Sequence, residues 1–312
     1  MSTSVEGRGV VVVCGEALVD LVVMPDGTLV PHLGGGPYNA ARTAARLGAP
    51  TAFLGRVSND RFGEQLVAGL AAEGVDTSTI VRSEEPTMLA LAEIGATGGA
   101  SYRFYVGGTA TPGLTAADAL ARLPATVSAL CVGTLGLVLE PMAAASEAVV
   151  LAVHRRAPVL VDPNIRPALI ADRAHYLERL ARILAGADVV KLSDEDLAWI
   201  DADNPEERAV AAMLDAGPRV VVLTRGARGV SGFTAAGRID VDGRAVQVAD
   251  TIGAGDSVAG AILTSLHEHG AELLDDRDGV AEMLRFATRV AAITVSRPGA
   301  DPPHRGELGR ES

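Results

Sequence analysis

Lysine is almost missing from this chain. Of the 27 lysines and arginines among its 312 residues, only Lys191 is a lysine. A Walker A loop needs Gly-Lys followed by Ser or Thr, whereas Lys191 is followed by Leu192, so that phosphate-binding loop is excluded. A protein kinase needs a strand lysine within its own set of signature motifs, and those are absent. Cysteine is equally scarce: Cys14 and Cys131 each follow an apolar run and read as reduced core thiols rather than a disulfide. No apolar run is long enough to span a bilayer, and the opening MSTSVEGRG has no apolar signal core. The expected location is the cytoplasm, with no membrane partner. The net charge of −12 is spread thinly, which excludes a nucleic-acid surface. No Gly-x-Gly-x-x-Gly follows the first strand-like run, which removes a dinucleotide oxidoreductase.

What the chain does have is regular alternation. Strand-like runs at Val10–Cys14, Thr51–Val57, Ala129–Gly133, Val159–Asp162, Val189–Leu192 and Val220–Thr224 are short and nearly continuously apolar. Amphipathic stretches of helical length lie between most of them: Pro37–Leu47, Arg61–Glu73, Pro141–Arg155, Arg173–Ala185 and Glu206–Ala216. This pattern predicts an α/β fold with a mostly parallel central sheet and helices on both faces. In such sheets ligands bind beyond the carboxyl ends of the strands.

Leu18–Val23, Leu29–Leu33, Thr87–Ile94 and Ser101–Val106 break the rhythm and predict a small inserted β-sheet, with turns at Asp26-Gly27 and Gly98-Gly99. A second β excursion is expected over Gly229–Phe233, Arg238–Val241 and Ala245–Val248, with Asp242-Gly243 as a hairpin turn. The tail after Pro303 is polar and is expected to fray.

The most informative segment is Asp250-Thr251-Ile252-Gly253-Ala254-Gly255-Asp256. Gly-Ala-Gly lets backbone N–H groups approach a ligand, and the Ala-rich run that follows, from Ser257 to Leu266, reads as a helix whose N-terminus carries partial positive charge. Together they form an anion hole suited to phosphate oxygens. Asp256 sits where a general base belongs if a hydroxyl is to attack phosphorus. Taken alone, Asp256 would also serve as a helix-start residue.

"DTIGAGD" resembles the C-terminal signature of the ribokinase-like (PfkB) carbohydrate kinases. "HLGGGPYNAARTAARLG" (His32 to Gly48) is similar to their N-terminal signature, and the resemblance runs from about Val11 to Pro303. Within the family, "CGEALVDL", "DPNIRP", "VVKLSDEDL" and "VSRPGADPP" look most like fructokinases.

The resemblance implies a single ribokinase-like domain over residues 1–312, with a β-lid inserted at about 18–33 and 87–106. It implies ATP-dependent phosphorylation of a sugar primary hydroxyl, with Mg²⁺ on the nucleotide. The alternatives are a kinase for ribose, 2-keto-3-deoxygluconate or a nucleoside, and, from another class, a non-catalytic sugar-binding regulator. The expected partner is the small-molecule sugar, and the assembly is left open between monomer and homodimer.

Residue by residue, the resemblance assigns Asp256 as base and Gly253, Ala254 and Gly255 as the anion hole. It assigns Asp20, Gly35, Gly36, Asn39, Tyr105 and Arg166 to the sugar. Tyr102 and Phe104 share one strand face and Tyr105 the other. On the residues alone, Arg166 also reads as a surface residue paired with Asp162. Ser193, Asp196, Thr224, Arg225, Gly226 and Gly229 fall to the nucleotide and its hydrated Mg²⁺, although Ser193 followed by Asp-Glu-Asp is also a good helix start. A K⁺ site is implied at Asp250, Ile252, Thr294 and Gly299. Lys191 is left with a strand-end position near the nucleotide.

Overall fold

In the strand Val10–Cys14 (β1), Val11 and Val13 pack into one core and Val12 and Cys14 into another. A strand sandwiched between two apolar layers has no polar face, which is why the run reads as continuous valine. The computed structural model describes residues 9–24, 26–94 and 100–309.

The further strands are β2 (Leu18–Val23), β3 (Leu29–Gly34), β4 (Thr51–Leu54), β5 (Arg56–Ser58), β6 (Val81–Ser83), β7 (Leu89–Ile94), β8 (Ala100–Tyr105), β9 (Val127–Gly133), β10 (Val159–Asp162), β11 (Val189–Ser193), β12 (Val220–Thr224), β13 (Val230–Thr234) and β14 (Gly237–Val241). The large sheet runs β14-β13-β12-β11-β10-β9-β1-β4. Its members from β4 to β12 are parallel, and β13 pairs antiparallel with both β12 and β14.

Helices α1 (Gly36–Arg46), α2 (Arg61–Ala72), α8 (Ala254–His269) and α9 (Arg277–Val295) cover the face served by Val11 and Val13. The opposite face carries α3 (Ala116–Arg122), α4 (Met142–Val153), α5 (Arg173–Leu184), α6 (Asp194–Ile200) and α7 (Glu206–Asp215). Cys14 and Cys131 lie on neighbouring strands but point into opposite cores, and both are free thiols. Among the described residues no helix is long and apolar enough to cross a membrane.

A four-stranded sheet, β3-β2-β7-β8, stands apart from the large one. β2 and β7 are parallel, and each is flanked by an antiparallel partner. The turn expected at Gly98-Gly99 lies outside the described residues.

Four details depart from the sequence expectations. The run Thr51–Val57 splits at Gly55, where a β-carbon would lie 2.7 Å from the Gly15 carbonyl, and β5 leaves to pair with β6. Asp242-Gly243 makes no hairpin. It closes against the turn before β13, where a β-carbon on Gly243 would sit 2.1 Å from the Ala227 carbonyl. The real hairpin joins β13 to β14 just before Gly237 (φ 113°), and residues 245–248 form no strand. The tail is anchored rather than frayed through Gly309: Leu308 is buried and Arg297 pairs with Glu307 at 2.5 Å.

Candidate active site

The amino end of α8 meets the amino end of α1 beyond the carboxyl ends of the central strands, in a cleft of about 700 Å³. Gly253 is the N-cap of α8 in the left-handed conformation (φ 75°), and a β-carbon there would strike Ala300 at 2.6 Å. The first turn of a helix leaves backbone N–H groups without intrahelical acceptors. Gly253, Gly255 and Asp256 of this turn line the cleft.

Asp256 Oδ2 accepts a hydrogen bond from Asn39 Nδ2 at 2.9 Å. Burial raises its carboxyl above the usual range. The Asn39 bond, Lys191 and Arg166 pull it back, and Asp20 pushes it up again. Gly36 keeps the space before this carboxylate open: a β-carbon would lie 2.7 Å from Thr134 Oγ1 and 3.3 Å from Asp256 Oδ1. Gly35 lines the same wall.

The small sheet supplies the facing wall. Strand alternation brings Asp20 of β2 and Tyr102 and Phe104 of β8 to the cleft. Burial pushes Asp20 up to about 6, with Arg166 opposing. Tyr105 is a correction: it falls on the other strand face, is 51% exposed and does not line the cleft. Its neighbour Arg103 is also exposed.

Arg166 lines the cleft from the loop after β10, its Nη1 donating to Asn164 Oδ1 at 2.8 Å. It does not pair with Asp162. That carboxylate instead holds Lys191, Nζ to Oδ2 at 2.8 Å, with both side chains buried. Burial pushes Asp162 up to about 6, against the pull of Lys191. The ammonium lies directly behind Gly255 in the first turn of α8, since a β-carbon there would be 3.0 Å from Nζ. The lysine therefore packs against the first turn of α8 as well as holding Asp162.

Toward the other end of the cleft, Ser193 and Asp196 form a capping box on α6. Asp196 Oδ1 also accepts the Ile165 N–H at 2.7 Å, which ties the loop after β10 to α6. The helix-start reading is thus realised, and both residues still line the cleft beside Glu195. Thr224 donates to the Leu192 carbonyl at 3.1 Å, next to Ser193 in the sheet register. Gly226 and Gly229 shape the turn into β13 with φ of 56° and 92°.

Arg225 is a second correction. Its guanidinium makes two bonds to Glu206, at 2.6 and 2.9 Å, and others to Asp194 at 3.0 Å and Ser231 at 2.9 Å. With its side chain only 9% exposed, it is committed to this ionic network rather than presented to a phosphate.

Asp250 accepts the Ile252 N–H at 3.0 Å and the Gly299 N–H at 2.9 Å, so one carboxylate joins the loop entering α8 to the loop leaving α9. Thr294, in the last turn of α9, is buried and uses its hydroxyl on the Val290 carbonyl. Among the described residues no group of three or more His, Cys, Asp and Glu is placed to hold a metal ion.

Sequence reasoning missed Glu16 and Thr134, both lining the cleft. Glu16 follows β1, is 1% exposed, and accepts the Gly36 N–H through Oε1 at 3.1 Å. The available signal was an acid at the end of an apolar strand, where a carboxylate needs a partner or a proton.

The family model described as "pfkB family carbohydrate kinase" matches residues 10–305. A fructokinase of Rhizobium leguminosarum bv. trifolii is 37% identical over 81% of this chain and 78% of its own. Two solved structures each cover 96% of this chain and are themselves covered over 98% of their length. Fructokinase from Xylella fastidiosa with bound ATP has a TM-score of 0.87 and 28% identity. Fructokinase from Vibrio cholerae in its fructose, ADP and calcium ion bound form has 0.86 and 27%.

Proposed function

The chain belongs to the pfkB family of carbohydrate kinases, and from that premise we propose that it transfers the γ-phosphoryl group of ATP to a primary hydroxyl of D-fructose or a similar neutral sugar. The observation that carries this reading is the placing of one carboxylate, Asp256, between a sugar-sized recess and a helix N-terminus. The acceptor hydroxyl lies against Asp256, which takes its proton as the oxygen attacks phosphorus. The N–H groups at Gly253 and Gly255 receive the charge on the transferring oxygens, whereas that of Ala254, expected in the same hole, donates to the Thr251 carbonyl at 3.3 Å. Asp20, Asn39 and the Gly35-Gly36 backbone hold the sugar hydroxyls, and the small sheet shields them from water.

Mg²⁺ on the nucleotide phosphates supplies charge neutralisation. Asp196, fixed by two backbone N–H bonds and by Ser193, fits a carboxylate that meets the ion through its waters rather than directly. Asp250 with the carbonyls of Ile252, Thr294 and Gly299 would hold K⁺ and steady the loop that enters α8. Both Vibrio cholerae fructokinase with fructose and ADP and Xylella fastidiosa fructokinase with ATP support the choice of ligands.

One observation favours a second acceptor. Arg166 is a cation inside the cleft and would suit a sugar acid such as 2-keto-3-deoxygluconate. Asp20 on the facing wall opposes that acceptor. Coupled ADP release with D-fructose, D-ribose, 2-keto-3-deoxygluconate and a nucleoside separates the readings. Fructose should exceed the sugar acid in kcat/KM by at least about tenfold, roughly 1.4 kcal/mol. Preferred turnover of the acid or the nucleoside would overturn the acceptor assignment and leave the kinase intact.

A further inference from the structure

The cleft contains a carboxyl group to which the mechanism above gives no task. Glu16 is as deeply buried as the core valines, yet it lines the acceptor recess. One oxygen, Oε1, accepts the Gly36 N–H, which belongs to the first turn of a helix whose N-cap, Gly35, offers no side chain. The other, Oε2, is buried with no hydrogen-bond partner. An unpaired carboxylate oxygen in such a place is costly, whereas a protonated carboxyl needs only one acceptor. A bound sugar supplies oxygens with lone pairs at this wall.

We propose that Glu16 is an acceptor-binding residue whose Oε2 donates a hydrogen bond to an oxygen of the bound sugar. This rests on the sugar-kinase reading of the same cleft. The charged and titratable groups facing Glu16 are Asp256 from α8, Arg166 from the loop after β10 and Cys14 at the end of β1. Asp20, Lys191 and Asp162 lie behind them, around Asp256 and Arg166. Burial pushes the Glu16 carboxyl up to about 8 and Asp256 pushes it the same way, while the backbone N–H groups of Glu16 and Gly36 and the charge of Arg166 oppose. Two carboxyl groups sharing a site divide the roles: one keeps its proton and donates, the other stays ionised as the base. Here Glu16 is the donor and Asp256 the base. The arrangement also makes acceptor binding weaken above pH 8, where an ionised Glu16 has no proton to give and adds a second negative charge beside Asp256.

Glu16→Gln keeps an acceptor for the Gly36 N–H and a donor for the sugar, and it removes the titration. Calorimetry of D-fructose binding at about pH 9, in two buffers of different ionisation enthalpy, should show uptake of about one proton by the wild type and almost none by E16Q. The kcat/KM for fructose should fall about tenfold per pH unit above pH 8 in the wild type, and E16Q should show no such alkaline fall from its own value at pH 7. A carboxyl that served only to cap α1 would move neither readout. Binding without proton uptake, or the same alkaline fall in E16Q, would overturn the proposal.

An infrared difference spectrum between the wild type and E16Q at pH 7, without sugar, reads the protonated carboxyl directly. Absence of its C=O band overturns the inference whatever the acceptor proves to be. Failure of the wild type to bind fructose, with that band present, sinks the fructose assignment and leaves the hydrogen-bond donor in place.

Discussion

Replacing Lys191 with Met removes one half of a buried ion pair and leaves the other half in place. Asp162 would keep a carboxylate that is 8% exposed, with Oδ2 deprived of its 2.8 Å partner and Oδ1 already without one. Breaking a buried pair from one side costs about 3–5 kcal/mol, out of a total stability on the order of 5–15 kcal/mol. At roughly 2 °C per kcal/mol for a chain of this size, Tm should drop on the order of 6–10 °C at pH 7.

The sign of the pH effect follows from Asp162. Its carboxyl is already raised to about 6, and loss of the ammonium raises it further. The folded variant therefore takes up its proton at a higher pH than the folded wild type does, so its deficit is largest above that raised value and shrinks as pH falls toward 6, below which both folded proteins protonate alike. K191M/D162N, with no stranded charge, should recover at least half of the loss. Lys191 also lies behind Gly255 and lowers the carboxyl of Asp256, so kcat in ADP release should fall at least about tenfold. The measurements are thermal unfolding at several pH values and steady-state kinetics. A K191M protein within about 2 °C of the wild type, with a double variant no more stable, would refute the reasoning.

Three further outcomes are expected. Arg225→Ala should destabilise the fold by about 3 kcal/mol, since Glu206 and Asp194 lose a nearly buried partner; KM for ATP should change less than about threefold, and a large rise in KM would restore Arg225 to the phosphates. Gly36→Ala places a methyl 2.7 Å from Thr134 Oγ1 and 3.3 Å from Asp256 Oδ1, and should lower kcat/KM for the sugar at least about tenfold with KM for ATP held, which initial-rate kinetics would show. Because the folded carboxyl of Glu16 is raised from 4.5 to about 8, its contribution to stability is full below about 4.5 and is lost as pH rises through 8. Denaturant titrations should thus find the wild type losing a few kcal/mol relative to E16Q over that window.

The layout of the fold was legible because period and length alone decide it. Four-to-seven-residue valine-rich runs separated by amphipathic stretches leave little choice but a parallel sheet covered twice, and β1, β10 and β12 begin and end where the pattern does. Asp242-Gly243 misled for a physical reason: its turn propensity is local, while its position is set by packing against Ala227–Gly229.

In the cleft, Asp256, Asn39 and Gly36 come together because each sits at the start of a helix the sequence announces. Tyr105 and Arg225 failed on orientation. Strand alternation fixes which faces are paired but not which face looks at the ligand, and an arginine among acids is claimed by whichever carboxylates the fold delivers. Glu16 and the Lys191–Asp162 pair were illegible because burial of a charge is a tertiary fact. Glu16 and Gly36 are 20 residues apart, and Asp162 and Lys191 are 29 apart.

Asp256→Asn tests the central claim most directly. The amide keeps the size of the carboxylate and can still meet Asn39, but it cannot take the proton of the attacking hydroxyl. With D-fructose and ATP saturating, ADP release should fall by about 10²–10⁴, while fructose affinity measured by calorimetry stays within about threefold. A kcat near that of the wild type would contradict the assignment of the base, and with it the mechanism built around the end of α8.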